Sequence, residues 1–154
     1  MGLDITAFFV DKNAIIDEFS FRNDEPSCGG FEWQSHWALK DYFQEMYANR
    51  GGDLDVLEKY GRFTLRLHSQ DIDNLQRKIN EYVVEKKPIF ESDDIIIFKK
   101  RPTLSLYKSF IGREKTSAED DEEILRRKNR DLAFIREAKE ALAEHKAIYF
   151  EADW

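Results

Sequence analysis

Three histidines and a single cysteine are the residues of this 154-residue chain suited by type to proton transfer, metal ligation or nucleophilic attack. His36 stands in the stretch Trp33-Gln34-Ser35-His36-Trp37. Read as part of a helix from about residue 32 to 49, that stretch places His36 between Phe43 and Tyr47 on the apolar side, with Trp33 and Trp37 at its margin. An imidazole so placed either lines an aromatic pocket or is a core residue hydrogen-bonded to backbone. His68 ends a strand just before a helix and shares a strand face with Arg66, a place where anions are often held. His145 falls in the last turn of a helix, where a cation complements the dipole. Cys28 and Ser27 lie in Pro-Ser-Cys-Gly-Gly, where glycines could expose a thiol, but activation would need a base that spacing alone does not supply. No His-x-x-x-His or His-Glu-x-x-His spacing occurs, and the glycine pairs match neither phosphate-loop nor dinucleotide patterns, so neither a metal nor a cofactor is expected.

The elements that position these residues follow from hydrophobic period and turn chemistry. Leu3 to Val10 alternates, Asp11-Lys12-Asn13 offers a turn, and Ile15 to Phe21 looks extended, which predicts an N-terminal hairpin. Residues 22–30 collect turn formers and read as a loop. Gly51-Gly52 stops the first helix, and a short helix over 53–61 ends at Gly61. Phe63, Leu65 and Leu67 alternate as a strand. Ser69 then caps a helix whose face of Ile72, Leu75, Ile79, Tyr82 and Val83 runs until Lys86-Lys87-Pro88. Asp94 to Phe98 predicts a strand, with Leu104 to Tyr107 as its hairpin partner. Ser117 begins a last helix with acids in its first turns and an apolar line from Ile124 to Leu142. Residues 148–154 alternate as a terminal strand. The fold class expected is α+β, one domain with a mostly antiparallel sheet packed against three main helices.

Composition limits the function classes. Hydrophobic residues are 42% and charged residues 36%, a globular balance for one core of this length. Aromatics at 14% suit both core and contact surface, so Trp33, Trp37, Tyr42 and Trp154 are the candidate surface anchors. One cysteine excludes an internal disulfide and fits a reducing compartment, and no export signal or membrane span is visible, so a cytoplasmic setting is expected. Residues 1–60 carry 5 basic and 12 acidic side chains of a total net charge of −7, which argues against direct nucleic-acid binding. The basic turn Lys99-Lys100-Arg101 reads as protection of a sheet edge.

Four blocks in order carry a resemblance: Met1 to Ala7, the Trp-bearing stretch Trp33 to Phe43, the strand and helix Phe63 to Ile79, and the aromatic ending Tyr149 to Trp154. In these the chain resembles a family of uncharacterised phage, prophage and bacterial proteins that open Met-Gly-Leu-Asp-Met-Tyr-Leu or Met-Gly-Leu-Asp-Ile-Thr-Ala. Relatives often carry Trp-Arg-Lys-x-Asn where this chain has Trp33-Gln34-Ser35-His36-Trp37, and its ending has an acid and an alanine in place of small hydroxyl residues. The resemblance implies a bacterial host cell and no mechanism.

Two functions are consistent with these features. The preferred one is a non-enzymatic phage or prophage accessory protein that binds a host protein, including a component of a defence system, with homo-oligomerisation left open. The alternative is a small enzyme or ligand-binding domain with a pocket lined by Trp33, His36, Trp37, Arg66 and His68, in which Arg66 holds an anion and a histidine moves a proton. Convergence of His36, Arg66 and His68 would favour the alternative, and wide separation the first.

Overall fold

The structure, a computed structural model, describes residues 2–23, 29–81, 83–88, 94–99 and 118–154. Its elements run β1 (Asp4–Val10), a 3-10 turn (Lys12–Ala14), β2 (Ile15–Asp17), β3 (Ser20–Phe21), β4 (Gly29–Gln34), α1 (Trp37–Asn49), α2 (Leu54–Tyr60), β5 (Arg62–Leu67), α3 (Ser69–Asn80), β6 (Val83–Pro88), β7 (Asp94–Lys99), α4 (Ala118–Ala143) and β8 (Ala147–Asp153). The class is α+β. The main sheet is antiparallel in the order β4-β1-β8-β5, and β2-β3 and β6-β7 are separate two-stranded ladders. Among the described residues no helix is long and apolar enough to cross a membrane.

The strand alternation decides where the core lies. Ile5 and Ala7 of β1, Phe31 and Trp33 of β4, Phe63, Leu65 and Leu67 of β5, and Ile148, Phe150 and Ala152 of β8 share one buried cluster with the helices. Four helices contribute to that face, through Leu39, Phe43 and Tyr47 of α1, Leu57 of α2, Ile72, Leu75 and Ile79 of α3, and Ile124, Phe134, Ile135 and Ala138 of α4. Phe150 is its centre, with the Phe43 ring 4.4 Å away and the Phe63 ring 5.8 Å away. On the opposite face Val10, Ala147 and Tyr149 form a smaller buried group closed by Phe8, Ile15 and Phe21. β8 is therefore buried on both faces over residues 147–150, as befits a strand inside the sheet.

Several local expectations hold, and others are corrected. The helix that stops before Gly51-Gly52, the short helix ending at Gly61, and the strand over Phe63 to Leu67 followed by a helix are all present. The N-terminal hairpin is not. β1 pairs with β4 and β8, while Ile15 to Phe21 folds on itself and leans over the second face, because the turn at Lys12–Ala14 lifts the chain off the sheet plane. The third helix stops at Asn80, and Val83 to Pro88 is extended. Val83 and Val84 favour a strand, and their partners lie on β7, Val84 opposite Phe98. At the start of that helix His68, not Ser69, is the N-cap, with the Asp71 carboxylate accepting the His68 backbone N–H at 2.7 Å. The expected strand at Leu104 to Tyr107 and the Ser117 cap lie outside the described residues.

Gly61 ends α2 in the left-handed region at φ 60°, with its N–H on the Leu57 carbonyl. Its carbonyl accepts the Trp154 N–H at 2.8 Å, and a Cβ at this position would stand 2.6 Å from the Trp154 carbonyl oxygen. Gly61→Ala is expected to destabilise the fold by about 2 kcal/mol, combining a left-handed L-residue with a backbone clash. Urea unfolding should show a lower midpoint with an unchanged slope.

Tyr149 ties β8 to the β2-β3 hairpin on the second face. It packs on Phe21 at 4.7 Å, and its hydroxyl donates to the Asp17 carbonyl at 2.6 Å. Burial holds that hydroxyl above its ordinary value of 10.0, so the neutral phenol is favoured in the fold. The unfolded chain then ionises first, and the stabilisation is complete below pH about 10 and declines above it. Unfolding free energies followed from neutral to strongly alkaline pH should fall in that window. Tyr149→Phe should weaken the decline while costing about 1 kcal/mol at neutral pH for the lost hydrogen bond.

Candidate functional site

A buried carboxylate organises the edge of the molecule where β4, α1 and α4 meet. Asp131 of α4 is 1% exposed. One of its oxygens accepts the Trp33 indole N–H at 3.0 Å and the other stands 3.0 Å from His36 Nε2. His36 Nδ1 in turn accepts the Leu39 backbone N–H at 3.3 Å and so caps α1. With Nδ1 accepting, the ring proton sits on Nε2 and donates to Asp131. Both nitrogens of His36 are engaged in holding the fold, and the residue is 2% exposed.

This arrangement corrects the expected helix start. Residues 29–34 form a strand, with Phe31 and Trp33 inward and Gly30, Glu32 and Gln34 outward, a period of two. Ser35 then takes a positive φ of 55° and turns the chain into α1 at Trp37. Trp33 and His36 are therefore not neighbours on a helical face. Trp33, at 4% exposure, is a core residue under Phe134 and Phe31, and it is corrected as a surface anchor.

The far end of α1 repeats the device with different groups. Arg50 donates to the Arg66 carbonyl at 3.0 Å and to the carboxylate of Asp71, itself buried at the start of α3. Arg66 also donates its backbone N–H to the Glu18 carbonyl at 2.7 Å. His68 Nε2 lies 2.8 Å from a Glu18 carboxylate oxygen, a pairing that becomes ionic when the imidazole is protonated. Arg66 and His68 thus pin the β2-β3 hairpin to β5. Strands β4 and β5 are the opposite ends of a four-strand order, and three inter-strand spacings amount to roughly 14 Å. The sheet separates His36 from Arg66 and His68, so the pocket postulated among them is not formed.

The remaining candidates divide by exposure. Tyr42 is half-buried against Phe43, and burial, followed by the Asp71 carboxylate, holds its hydroxyl above its ordinary value. Tyr42 is thus more a flank of the core than a surface anchor. Trp37 is 44% exposed. Trp154 packs edge-on against Phe63 and is partly buried. Lys40, at 8% exposure, joins them: its ammonium sits 4.3 Å from the Trp154 ring centre and 5.4 Å from that of Trp37. Asp41 and Gln44 accept from the same ammonium at 2.8 and 3.0 Å. Tyr60, 57% exposed, ends α2 next to Gly61, whose carbonyl binds Trp154. His145 was expected in the last turn of the final helix, but α4 ends at Ala143 and His145 lies two residues beyond it at φ 62°. Gly30 lies in β4, and Ser27 and Cys28 fall outside the described residues.

Between β4 and α4 lies a half-open cleft of about 530 Å³, lined by Glu32 to His36 and by Glu123, Arg126, Arg127 and Arg130. Arg130 stacks 4.6 Å from the Phe31 ring and donates to the Glu32 carbonyl at 2.9 Å, while Arg127 donates to the Ser35 carbonyl at 3.3 Å. Glu123 bridges Arg126 at 3.2 Å and Arg127 at 3.3 Å. Sequence reasoning missed this basic run and missed Asp131. The signal for the latter was available: position 131 is seven residues after Ile124 and four before Ile135, on the buried stripe of α4. Among the described residues no group of three or more His, Cys, Asp or Glu could hold a metal ion.

No protein-family model matches the chain, and neither a curated protein nor a solved structure does.

The role of His36 is separable by measurement. His36→Ala removes the α1 cap and leaves the Asp131 carboxylate buried with one fewer donor, and should destabilise the fold by about 3 kcal/mol. Asp131→Asn keeps an oxygen for the Trp33 indole and should cost less. Denaturant titrations of both variants check the order, and equal stability with the native protein would remove His36 from the structural role described.

Proposed function

We propose that the protein is a non-enzymatic binding module, a phage or prophage accessory protein that docks on a host protein, with defence components among its targets. The observation that supports this most directly is the cluster of Trp37, Lys40 and Trp154. Trp37 is a large aromatic that stays 44% exposed, with the ammonium of the nearly buried Lys40 5.4 Å from its ring centre. Rigid aromatic side chains lose little freedom on binding, which makes such a group a good anchor. Tyr60 extends the aromatic surface past the end of α2, with Arg62 at 5.8 Å from its ring. The separation of His36 from Arg66 and His68 speaks against the alternative pocket that would have combined them.

Partner capture tests the reading. Tagged protein, incubated with lysates of several bacterial hosts, should enrich a specific protein, and Trp37→Ala should lower that enrichment by about tenfold or more, a common loss for a central aromatic anchor. Circular dichroism should show the variant folded. No specific enrichment in any lysate, or enrichment indifferent to Trp37, would remove the support.

A further inference from the structure

The cleft beside β4 has the geometry of a strand acceptor. Among the described residues no strand pairs with the outer edge of β4, which is the last in the order β4-β1-β8-β5. Ser35 donates its N–H inward to the Leu3 carbonyl at 3.1 Å. Backbone direction alternates along a strand, so the N–H and C=O groups of Phe31 and Trp33 face β1 while those of Glu32 and Gln34 turn outward. That outward edge is one wall of the cleft and α4 is the other. An unpaired strand edge opposite a helix is a recurrent way of receiving an extended peptide, with main-chain hydrogen bonds for affinity and the helix side chains for selection.

The charge of the second wall selects the occupant. Arg126, Arg127 and Arg130 outnumber Glu123 on α4, and with Glu32 on the other wall the cleft still carries three cations against two carboxylates in a chain of net charge −7. One of these arginines already donates to the edge, Arg130 to the Glu32 carbonyl, where an incoming backbone N–H would donate, and Arg127 donates to the Ser35 carbonyl just past the end of the strand. Glu123 occupies Arg126 and Arg127 with a carboxylate held only at the surface, its side chain 42% exposed. A partner carboxylate can exchange with it at little electrostatic cost, because charge-assisted pairs of the same kind are broken and made.

We propose that this groove receives an extended acidic segment of the partner protein, which adds as a strand to the outer edge of β4 and places carboxylates on Arg126 and Arg130. The inference rests on the protein-binding reading above and names the chemistry of its partner.

The test uses the full chain and an acetylated, amidated peptide of alternating Glu and Thr, carrying a fluorophore for anisotropy. It should bind, and amide exchange at Glu32 and Gln34 should slow. The joint variant Arg126→Gln with Arg130→Gln should weaken binding by at least about tenfold. So should Gln34→Pro, which removes an outward N–H at an edge where proline is tolerated. Peptides N-methylated at alternate residues should behave differently in the two phases, one losing affinity and the other keeping it. A Lys and Thr peptide should not bind.

Absence of binding, or binding indifferent to both the arginine pair and the N-methyl phase, overturns the proposal. Competition by inorganic phosphate, with both N-methylated peptides bound equally, would show an anion site without strand addition and overturns it as well. If host-protein capture depends on Trp37 but is unchanged in the groove variants, the groove inference fails and the binding-module reading stands. Peptide binding that follows the groove variants, with capture indifferent to Trp37, does the reverse: the groove inference stands and the Trp37 anchor fails.

Discussion

The carboxylate of Asp131 is the constraint on which this edge of the molecule depends. It joins residues 95 and 98 positions away, His36 and Trp33, to the helix that carries it. A carboxylate in so apolar a place is tolerated only when its lone pairs are met by donors, and Trp33 and His36 supply such donors from the end of a strand and the start of a helix. Their positions fix the turn at Ser35, hence the direction of α1. From there α1 crosses the sheet, Phe43 over Phe150 and Tyr47 over Phe63, until Arg50 reaches Asp71 on the far side. One helix is thus held at both ends by buried carboxylates on other helices.

Local pattern made some of this legible from sequence and hid the rest. The strand from Phe63 to Leu67 and the helix after it were readable because the apolar period changes there from two to 3.6, with a turn between. The start of α1 was not. Trp33, His36 and Trp37 fall at spacings of three and four, which imitate a helical face, although Phe31 and Trp33 alternate as a strand. The deciding influence is nonlocal: Trp33 is fixed by Asp131, and β4 by pairing with β1, Ile5 opposite Trp33. The same applies to the N-terminal strand, whose partners are β4 and the chain's last strand rather than the segment that follows it.

The candidate site was legible by residue type but not by role. Histidines attract attention because they can carry protons, yet His36 and His68 both cap helices and hold neighbouring carboxylates or backbone. Aromatics were the better guide, and there the pairing through Lys40 could not be seen, because Trp154 comes to α1 only once β8 has entered the sheet beside β5. Three arginines on α4 look, in sequence, like any solvated helix face, and only the neighbouring strand edge gives them a common direction.

The two edges of the sheet are closed by different means, and the difference bears on which can open. At β5 the cover is backbone from another part of the chain, the Glu18 carbonyl on the Arg66 N–H, reinforced by His68 and by the Tyr149 hydroxyl on Asp17. Uncovering it requires lifting a hairpin off a buried aromatic group. Among the described residues the cover at β4 is the Arg130 guanidinium on the Glu32 carbonyl, with Arg127 on the Ser35 carbonyl just past the strand, side chains that change rotamer far faster than a hairpin moves. Their departure exposes strand and gives up the Arg130 stacking on Phe31, while the packing of Phe31 and Trp33 on Phe134 beneath is kept. Side-chain closure therefore protects the β4 edge from indiscriminate pairing while keeping it available to a segment whose own charge replaces what the arginines give up.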